Sequence, residues 1–254
     1  MRLALLTAYR TRPDHLTRQR AWLERLRAEE LDDFEWIVVE GDERASATPA
    51  LDLPWCRYDF VSMSGPFHKS ALLNHAAGMS PASLLCPFDV DILPAQGTLS
   101  LHCQLATEAH RMLIAGYRLN LPDLPSVASP RDCTWRWLQS LVGASAEVLG
   151  PEENPSALRK YLLHGERFGV CPMYRREDWE AVGGVDERYV GWGGEDQDLI
   201  ERVVDTGRTL ARSYDLIYFH MPHGREAGWH DPLLTERNRA LFRARNRWLR
   251  RGQT

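Results

Sequence analysis

An apolar run, a helical segment and a second apolar run at the start of the chain constrain its fold most strongly. Leu3 to Thr7 is short and apolar and ends in a polar turn, and Phe34 to Glu40 has the aromatic and β-branched content of a strand. Between them, apolar residues recur at helical spacing at Leu16, Trp22, Leu23 and Leu26. This β-α-β unit predicts a parallel, right-handed crossover whose ligand-binding groups lie at the carboxyl ends of the strands, here near Tyr9, Arg10 and Glu40 to Asp42.

Strands and helices continue to alternate along the chain, which predicts one α/β domain. Helices are predicted over Lys69 to Ala77, Gly97 to His110, Arg176 to Val182 and Gln197 to Val204, and strands over Ser83 to Phe88, Arg111 to Tyr117 and Leu216 to Phe219. The segment between Asp42 and Lys69 is interpreted as a Pro-containing loop. No GxGxxG follows the first strand, so the ordinary dinucleotide-binding fingerprint is missing.

Charge and cysteine content exclude several classes of protein. A net charge of -4 and an isoelectric point near 6.1 argue against a general nucleic-acid binder. The arginines from Arg237 to Arg251 form either a solvated helix face or a surface for a phosphate or an anionic lipid. The five cysteines have no CxxC spacing and are expected to be reduced thiols, mostly in the core. Without a leader or an apolar run of about 20 residues, the chain is expected in the cytoplasm, with peripheral membrane contact through the basic C-terminal helix as an alternative.

The stretch from Tyr189 to Asp198 combines glycines, acids and a tryptophan and is poor material for a core. Glycines let the backbone approach a ligand, and Trp192 offers a flat apolar face of the kind that stacks on sugars. Glu195 and Asp196 can divide hydrogen bonding and proton abstraction between them. Alternatively, these acids open a helix at its N-terminus, where the helix dipole favours negative charge.

Two further groups of residues suit a metal. Asp89 and Asp91 are two apart at a predicted strand end, so both carboxylates point to one side of the chain. His220 and His223 follow another strand. An acidic pair alone occurs in many loops and the histidines alone suit a surface, but oxygen and imidazole ligands together favour Mn²⁺ or a related metal.

Five motifs in this order resemble a known family. They are Tyr9-Arg10-Thr11-Arg12, Phe67-His68-Lys69-Ser70-Ala71-Leu72-Leu73-Asn74, Asp89-Val90-Asp91, Gly191-Trp192-Gly193-Gly194-Glu195-Asp196 and His220-x-x-His223. The set resembles metal-dependent nucleotide-sugar glycosyltransferases of the GT-A fold, above all the β-1,4-galactosyltransferase group with its P-F-R-x-R, F-N-R-A-x-L-L-N, D-V-D, W-G-W-G-G-E-D and M-x-x-H. The resemblance runs from the first strand to His223 and leaves out Leu119 to Pro155 and the C-terminal helix.

The resemblance implies a mixed, mostly parallel central sheet flanked by helices, in a single domain over 1–254. Residues 1–95 would form the nucleotide-binding half, 96–235 the acceptor and catalytic half, and 236–254 a C-terminal basic helix. Trp135 and Trp137, in the part that the motifs leave out, either line an acceptor groove or cover the core.

The resemblance also implies a donor site for a UDP-sugar. Phe67 would face the uracil, Lys69 would approach the nucleotide or its phosphates, and Trp192 with Gly193 would wall the sugar. The remaining residues expected around the nucleotide-sugar are Ala8, Tyr9, Arg10, Arg12, Glu40, Asp89 and Val90.

The metal ligands implied by the family are Asp91 and His223, with Mn²⁺ or Mg²⁺ as cofactor. His220 stands where the galactosyltransferases have methionine. The exchange keeps a metal ligand but replaces a soft thioether with a harder imidazole, so the preferred metal stays open.

The catalytic residues implied are Asp196 as general base and Glu195, which would hold donor or acceptor hydroxyls. Related retaining enzymes have Asn after W-G-G-E, so Asp196 favours inversion, giving a β-linkage from UDP-Gal, UDP-GalNAc or UDP-GlcNAc. Val190 replaces a family tryptophan, and the acceptor, a saccharide, a lipid-linked sugar or a peptide, stays open. The alternatives are an inactive nucleotide-sugar-binding module or partner subunit, and a hydrolase or nucleotidyltransferase that works through Asp89, Asp91 and His223.

Overall fold

The structure is a computed structural model that describes residues 2–47, 51–121, 169–223 and 231–245. The strands are β1 (Leu3–Tyr9), β2 (Phe34–Asp42), β3 (Cys56–Ser62), β4 (Leu84–Pro87), β5 (Ile92–Pro94), β6 (Met112–Asn120), β7 (Val170–Arg175) and β8 (Thr209–His220). The helices are α1 (Pro13–Glu29), α2 (Lys69–Met79), α3 (Thr98–Glu108), α4 (Arg176–Ala181), α5 (Glu195–Asp205) and α6 (Pro232–Arg245). No helix within these ranges is both long and apolar enough to cross a bilayer.

The eight strands form one sheet in the order β3-β2-β1-β4-β7-β6-β8-β5. Strands β3, β2, β1 and β4 are parallel neighbours, and β6 is parallel to β8. Strand β7 is antiparallel to β4 and β6, and β5 is antiparallel to β8. The predicted mixed, mostly parallel sheet with flanking helices is confirmed.

Helices cover both faces of the sheet and explain why its central strands lack alternation. Every residue of β1 is buried, as expected of a parallel strand covered on both sides. Apolar side chains of α1 and α3, such as Leu23 and Leu99, lie in the core on one face. Side chains of α2, α4 and α5, such as Leu72, Trp179 and Ile200, lie in the core on the other.

The structure contains three strands, β3, β5 and β7, that the sequence did not predict. Strand β3 lies in the segment interpreted as a loop; it is an edge strand of half-exposed residues, so its hydrophobic signal is weak. Strand β5 has only three residues. Strand β7 contains Pro172, which argues against a strand in the sequence, and Cys171 before it has a positive φ of 48°.

Several boundaries differ from the prediction, among them the starts of three elements. Strand β8 begins at Thr209 rather than Leu216, because its polar first half pairs with β6. Helix α5 begins at Glu195 rather than Gln197, and α6 begins at Pro232 rather than at residue 236. The cysteine prediction is confirmed for the described residues, where Cys56, Cys86, Cys103 and Cys171 are free thiols and all but Cys56 are buried.

Candidate active site

Asp91, His220 and His223 come together where β4 and β8 end. Backbone pairing of β5 with β8 places Ile92 opposite His220, and Met221 N–H donates to the Asp91 carbonyl at 2.7 Å. One ligand atom from each of the three side chains lies within 4.8 Å of the others. The structure thus brings together all three residues predicted to bind a metal.

The Asp91 carboxylate is surrounded by nitrogen groups. Arg12 Nη1 lies 2.7 Å, His223 Nε2 3.2 Å and His220 Nε2 3.7 Å from Asp91 Oδ2. Burial by itself raises the pKa of Asp91, but the His223 hydrogen bond and the charge of Arg12 outweigh it and hold this pKa well below its ordinary value. Burial lowers the pKa of His220 to about 4, so its imidazole is neutral, as a metal ligand must be.

A side chain of α1 holds the turn that carries Asp89 and Asp91. Gln19 is fully buried, and its Nε2 donates to the carbonyls of Asp89 and Ile92 at 2.8 and 2.9 Å. Sequence reasoning did not select Gln19; its signal is a polar residue on the helix face that carries Leu16 and Leu23.

Lys69 connects this turn to the Tyr189–Asp198 loop. Its Nζ lies 2.8 Å from Asp89 Oδ1 and 3.6 Å from Glu195 Oε1. Burial by itself lowers the pKa of Lys69, but the charges of Asp89, Glu195 and Asp196 outweigh it and raise this pKa. The charge of Lys69 pairs with these two carboxylates, and its expected contact with the nucleotide or its phosphates stays a prediction.

Glu195 and Asp196 are adjacent in sequence but differ in environment. Glu195 is buried, and its Oε2 has no hydrogen-bond partner within the described residues. Burial and the charge of Asp196 raise the pKa of Glu195 to about 7, although Lys69 opposes the shift. Asp196 is exposed in the first turn of α5, where its Oδ1 accepts the Gln197 N–H at 2.8 Å.

The glycines around Trp192 adopt backbone conformations that other residues rarely reach. Gly191, Gly193 and Gly194 have φ values of 72°, 104° and 91°, and Gly194 precedes the first residue of α5. The Trp192 side chain is 46% exposed, whereas Tyr189 is buried. The loop thus exposes the aromatic ring of Trp192 to solvent, while the buried side chain of Tyr189 anchors its backbone.

The loop is anchored to α2 by residues within the Phe67–Asn74 motif. Gly191 N–H donates to the Phe67 carbonyl at 3.0 Å, and Ser70 Oγ donates to the Tyr189 carbonyl at 3.2 Å. Asn74 accepts from Val185 N–H and donates to the Val185 carbonyl, both at 2.8 Å. A side chain at Gly184 would overlap the Asn74 amide. The motif therefore has a structural task beside its expected contact with the nucleotide.

Residues predicted near the nucleotide line the end of β1. Arg10 Nη1 donates to the Gly65 carbonyl at 2.8 Å, and its guanidinium lies 5.3 Å from the Phe67 ring centroid. The side chains predicted beside them, Ala8, Tyr9, Phe67 and Val90, are all buried. Their contacts with a nucleotide stay predictions.

Glu40 was also predicted near the donor, but the structure favours a different role. Its carboxylate is fully buried and accepts hydrogen bonds from Ser46 N–H, Ala47 N–H and Tyr58 Oη at 3.0, 3.1 and 2.6 Å. It fixes the loop after β2, and its contact with the donor stays a prediction. Trp135 and Trp137 lie outside the described residues.

Asp198 and the C-terminal helix form a further ion-pair network behind the loop. Asp198 is fully buried and contacts Tyr189 Oη at 3.2 Å, Arg202 Nε at 2.7 Å and Arg245 Nη1 at 3.2 Å. Arg245 also lies 2.8 Å from Asp186. At Arg245, whose side chain is 38% exposed, the basic helix therefore supports the loop, and contact of this helix with a phosphate or an anionic lipid stays a prediction.

Comparison with known proteins gives the following similarities. Residues 156–224 match the model of a family described as the N-terminal domain of galactosyltransferase. A β-N-acetyl-D-glucosaminide β-1,4-N-acetylglucosaminyl-transferase of Lymnaea stagnalis is 32% identical over 90 residues, which cover 32% of this chain and 17% of that protein.

Two solved structures are similar over most of the chain. S. aureus TarS matches with a TM-score of 0.58 and 11% identity, over 87% of this chain and 37% of TarS. The catalytic domain of Drosophila β1,4-galactosyltransferase 7, in complex with xylobiose, has a TM-score of 0.48 and 17% identity, over 91% of this chain and 68% of that chain.

The mixed sheet, the helices on both faces and the likeness to TarS define a GT-A glycosyltransferase fold. The predicted resemblance to galactosyltransferases is confirmed over residues 156–224, which include the Trp192 loop and both histidines. The chain spans only about a sixth of the curated relative and about a third of TarS.

Proposed function

We propose that this protein is an inverting glycosyltransferase that moves a hexose or N-acetylhexosamine from a UDP-sugar to an acceptor hydroxyl. The observation that supports this most is the bridge made by Lys69. Its Nζ lies 2.8 Å from Asp89, two residues before the metal-ligand candidate Asp91, and 3.6 Å from Glu195, next to the base candidate Asp196. One partly buried cation thus connects the turn that carries Asp91 to the Glu195–Asp196 pair, so groups suited to a diphosphate leaving group and to proton abstraction lie in one site.

The residues present fit a divalent metal. Asp91, His220 and His223 offer one carboxylate oxygen and two imidazole nitrogens within 4.8 Å of one another, a ligand set that suits Mn²⁺ better than Mg²⁺. When bound, the cation would stabilise the negative charge of the nucleoside diphosphate leaving group. Arg12 Nη1 lies 2.7 Å from Asp91 Oδ2, so a cation bound at this oxygen would compete with Arg12, whose guanidinium would pair with a phosphate of the donor instead.

Asp196 would act as the general base. Its exposed carboxylate can accept the proton of the acceptor hydroxyl while the acceptor oxygen forms a bond to the anomeric carbon of the sugar. The bond from that carbon to the UDP oxygen breaks in the same step, and UDP leaves. Attack from the face opposite UDP inverts the anomeric carbon, so an α-linked donor gives a β-linked product.

Glu195 and Trp192 would hold the sugar. Glu195 Oε2 is buried without a hydrogen-bond partner among the described residues, and a sugar hydroxyl would satisfy it. The exposed face of Trp192 would stack on the sugar ring. We expect UDP-Gal, UDP-GalNAc or UDP-GlcNAc as donor.

The proposal is tested by a donor screen on the purified protein. Incubation with UDP-Gal, UDP-GalNAc, UDP-GlcNAc or UDP-Glc and Mn²⁺, with water as acceptor, should release UDP slowly from one of them. Mg²⁺ and Co²⁺ are tested in parallel, and EDTA should stop the release. Release of UMP and a sugar phosphate would indicate a hydrolase or nucleotidyltransferase instead. Absence of binding and turnover across the panel would contradict the proposal.

A further inference from the structure

One buried side chain of α6 is bonded to the backbone on both sides of Gly191. Asn238 is fully buried, and its Nδ2 donates to the carbonyls of Val190 and Trp192 at 3.0 and 3.2 Å. Because both acceptors are carbonyls, only the amide nitrogen can make these bonds, which fixes the orientation of the amide.

Gly191, between the two acceptor residues, also bonds to the segment that precedes α2. Gly191 N–H donates to the Phe67 carbonyl at 3.0 Å, and a side chain at Gly191 would lie 3.3 Å from Leu234 of α6. Gly191 has a φ of 72°, so the chain reverses locally and its two neighbouring carbonyls can face one donor group. The backbone at Gly191 is therefore held by the segment before α2 and by α6.

Burying the Asn238 amide costs free energy, and the two hydrogen bonds that its Nδ2 donates are the gain that offsets this cost. Its Oδ1 has no hydrogen-bond partner among the described residues, and a buried acceptor without a donor is unfavourable. A leucine of similar volume would fill the site without that cost. The leucine would leave the carbonyls of Val190 and Trp192 without the donor that Asn238 provides, and one of these carbonyls belongs to Trp192 itself.

We propose that Asn238 is a positioning residue for the sugar site: it sets the backbone at Val190 and Trp192 so that the Trp192 ring and the following Glu195 and Asp196 keep their places. The inference rests on the proposed function for its kinetic consequence. Its structural consequence, a loop held by α6, does not depend on which reaction the protein catalyses.

Hydrogen exchange of Asn238→Leu measures the structural consequence directly. The amides of residues 190–194 should exchange about tenfold faster than in the wild type, because two hydrogen bonds to this segment are lost. The amides of α2 and β1 should keep their protection. Arg243→Gln, at an exposed position of the same helix, is the matched control and should leave the loop unchanged.

The kinetic arm measures UDP release from the donor found in the screen. Asn238→Leu should lower kcat by about 100-fold, the scale of a small misplacement of catalytic groups, while the affinity for UDP alone stays at the wild-type value. Asn238→Asp, which keeps the size but puts a carboxylate against two carbonyls, should lower kcat at least as far.

Two results would overturn the proposal. Loop amides that exchange at the wild-type rate in Asn238→Leu would show that the bonds do not hold the loop. A uniform loss of protection across the chain, with UDP affinity and kcat lowered together, would show a general structural role. If the wild-type protein turns over no donor, the proposed function fails, while the exchange experiment still decides whether Asn238 holds the loop.

Discussion

Asp91 and Glu195 are both buried carboxylates, but their surroundings give them opposite affinities for a proton. Asp91 has an arginine at 2.7 Å and imidazole nitrogens at 3.2 and 3.7 Å, and its pKa is held far below the ordinary value. Glu195 has one lysine at 3.6 Å and the like charge of Asp196 beside it, and its pKa is raised to about 7. Burial opposes ionisation at both positions, so the difference comes from the charges around them.

This difference separates two tasks within one site. A carboxylate that stays ionised at all relevant pH values suits a permanent cation site, whereas one that titrates near neutrality suits groups that exchange protons or donate to a sugar oxygen. The cation region comprises Asp91, His220 and His223 with the neighbouring Asp89, and the proton-transfer region comprises Glu195 and Asp196. Lys69 contacts Asp89 and Glu195, so the two regions are not independent. Single substitutions can nevertheless alter one region at a time.

The largest effect is expected from Asp196→Asn in the proton-transfer region. Loss of the general base should reduce UDP release from the donor by about 10²- to 10⁴-fold, with UDP affinity nearly unchanged because the nucleotide residues are untouched. Initial rates and calorimetric titration with UDP check the two halves of this prediction. Asp205→Asn, an exposed acid on the same helix, is the matched control. A fully active Asp196→Asn would show that Asp196 is not the base, and proton transfer could then not be assigned to its region.

A second prediction concerns the pH dependence of stability and Glu195→Gln. Because the folded-state pKa of Glu195, about 7, lies above its ordinary 4.5, the unfolded chain ionises first as pH rises. The free energy of unfolding should therefore fall between pH 4.5 and 7, by about 3 kcal/mol from this group alone.

Glu195→Gln lacks this titration and should lose less stability across the same interval. Urea unfolding of both proteins at pH 5 and pH 8 makes the comparison. Equal pH dependence in the two would mean that Glu195 is ionised like an ordinary carboxylate, and the contrast with Asp91 would disappear.

The smallest effect is expected at Arg12 in the cation region. Arg12→Gln removes the cation that competes for Asp91 Oδ2, so the affinity for Mn²⁺ in the absence of nucleotide should rise by about tenfold or more. Isothermal titration with Mn²⁺ checks this, and Arg25→Gln, exposed on the helix that follows Arg12, serves as control. Unchanged or weaker Mn²⁺ binding would show that Arg12 supports the metal ligands instead of competing with the metal.

Much of the fold follows from local sequence. The first β-α-β unit was predictable because β1 is a mostly apolar run, β2 is rich in aromatic and β-branched residues, and α1 repeats its leucines at helical spacing. Strands β3, β5 and β7 were not, because an exposed edge, a length of three residues and an internal proline each remove the usual signal. Pairing between distant segments supplies the missing stability there.

The site shows the same limit. The motifs identified Asp91, His220, His223, Glu195 and Asp196, and the structure brings the first three together. Sequence could not show that Arg12 pairs with Asp91, that Lys69 bridges Asp89 and Glu195, or that Asn238 bonds to the Trp192 loop. These contacts join residues far apart in the chain, and no periodicity or spacing encodes them.

The configuration of the first sugar released is the most direct test of the central claim, that Asp196 and the cation region together perform an inverting transfer. The donor that the screen selects is incubated with the protein and Mn²⁺ in D₂O, and proton NMR follows the anomeric signal before mutarotation equilibrates it. With Asp196 as the base of an inverting transfer, an α-linked donor yields the β-anomer together with UDP. An α-anomer, or a sugar phosphate with UMP, would contradict it.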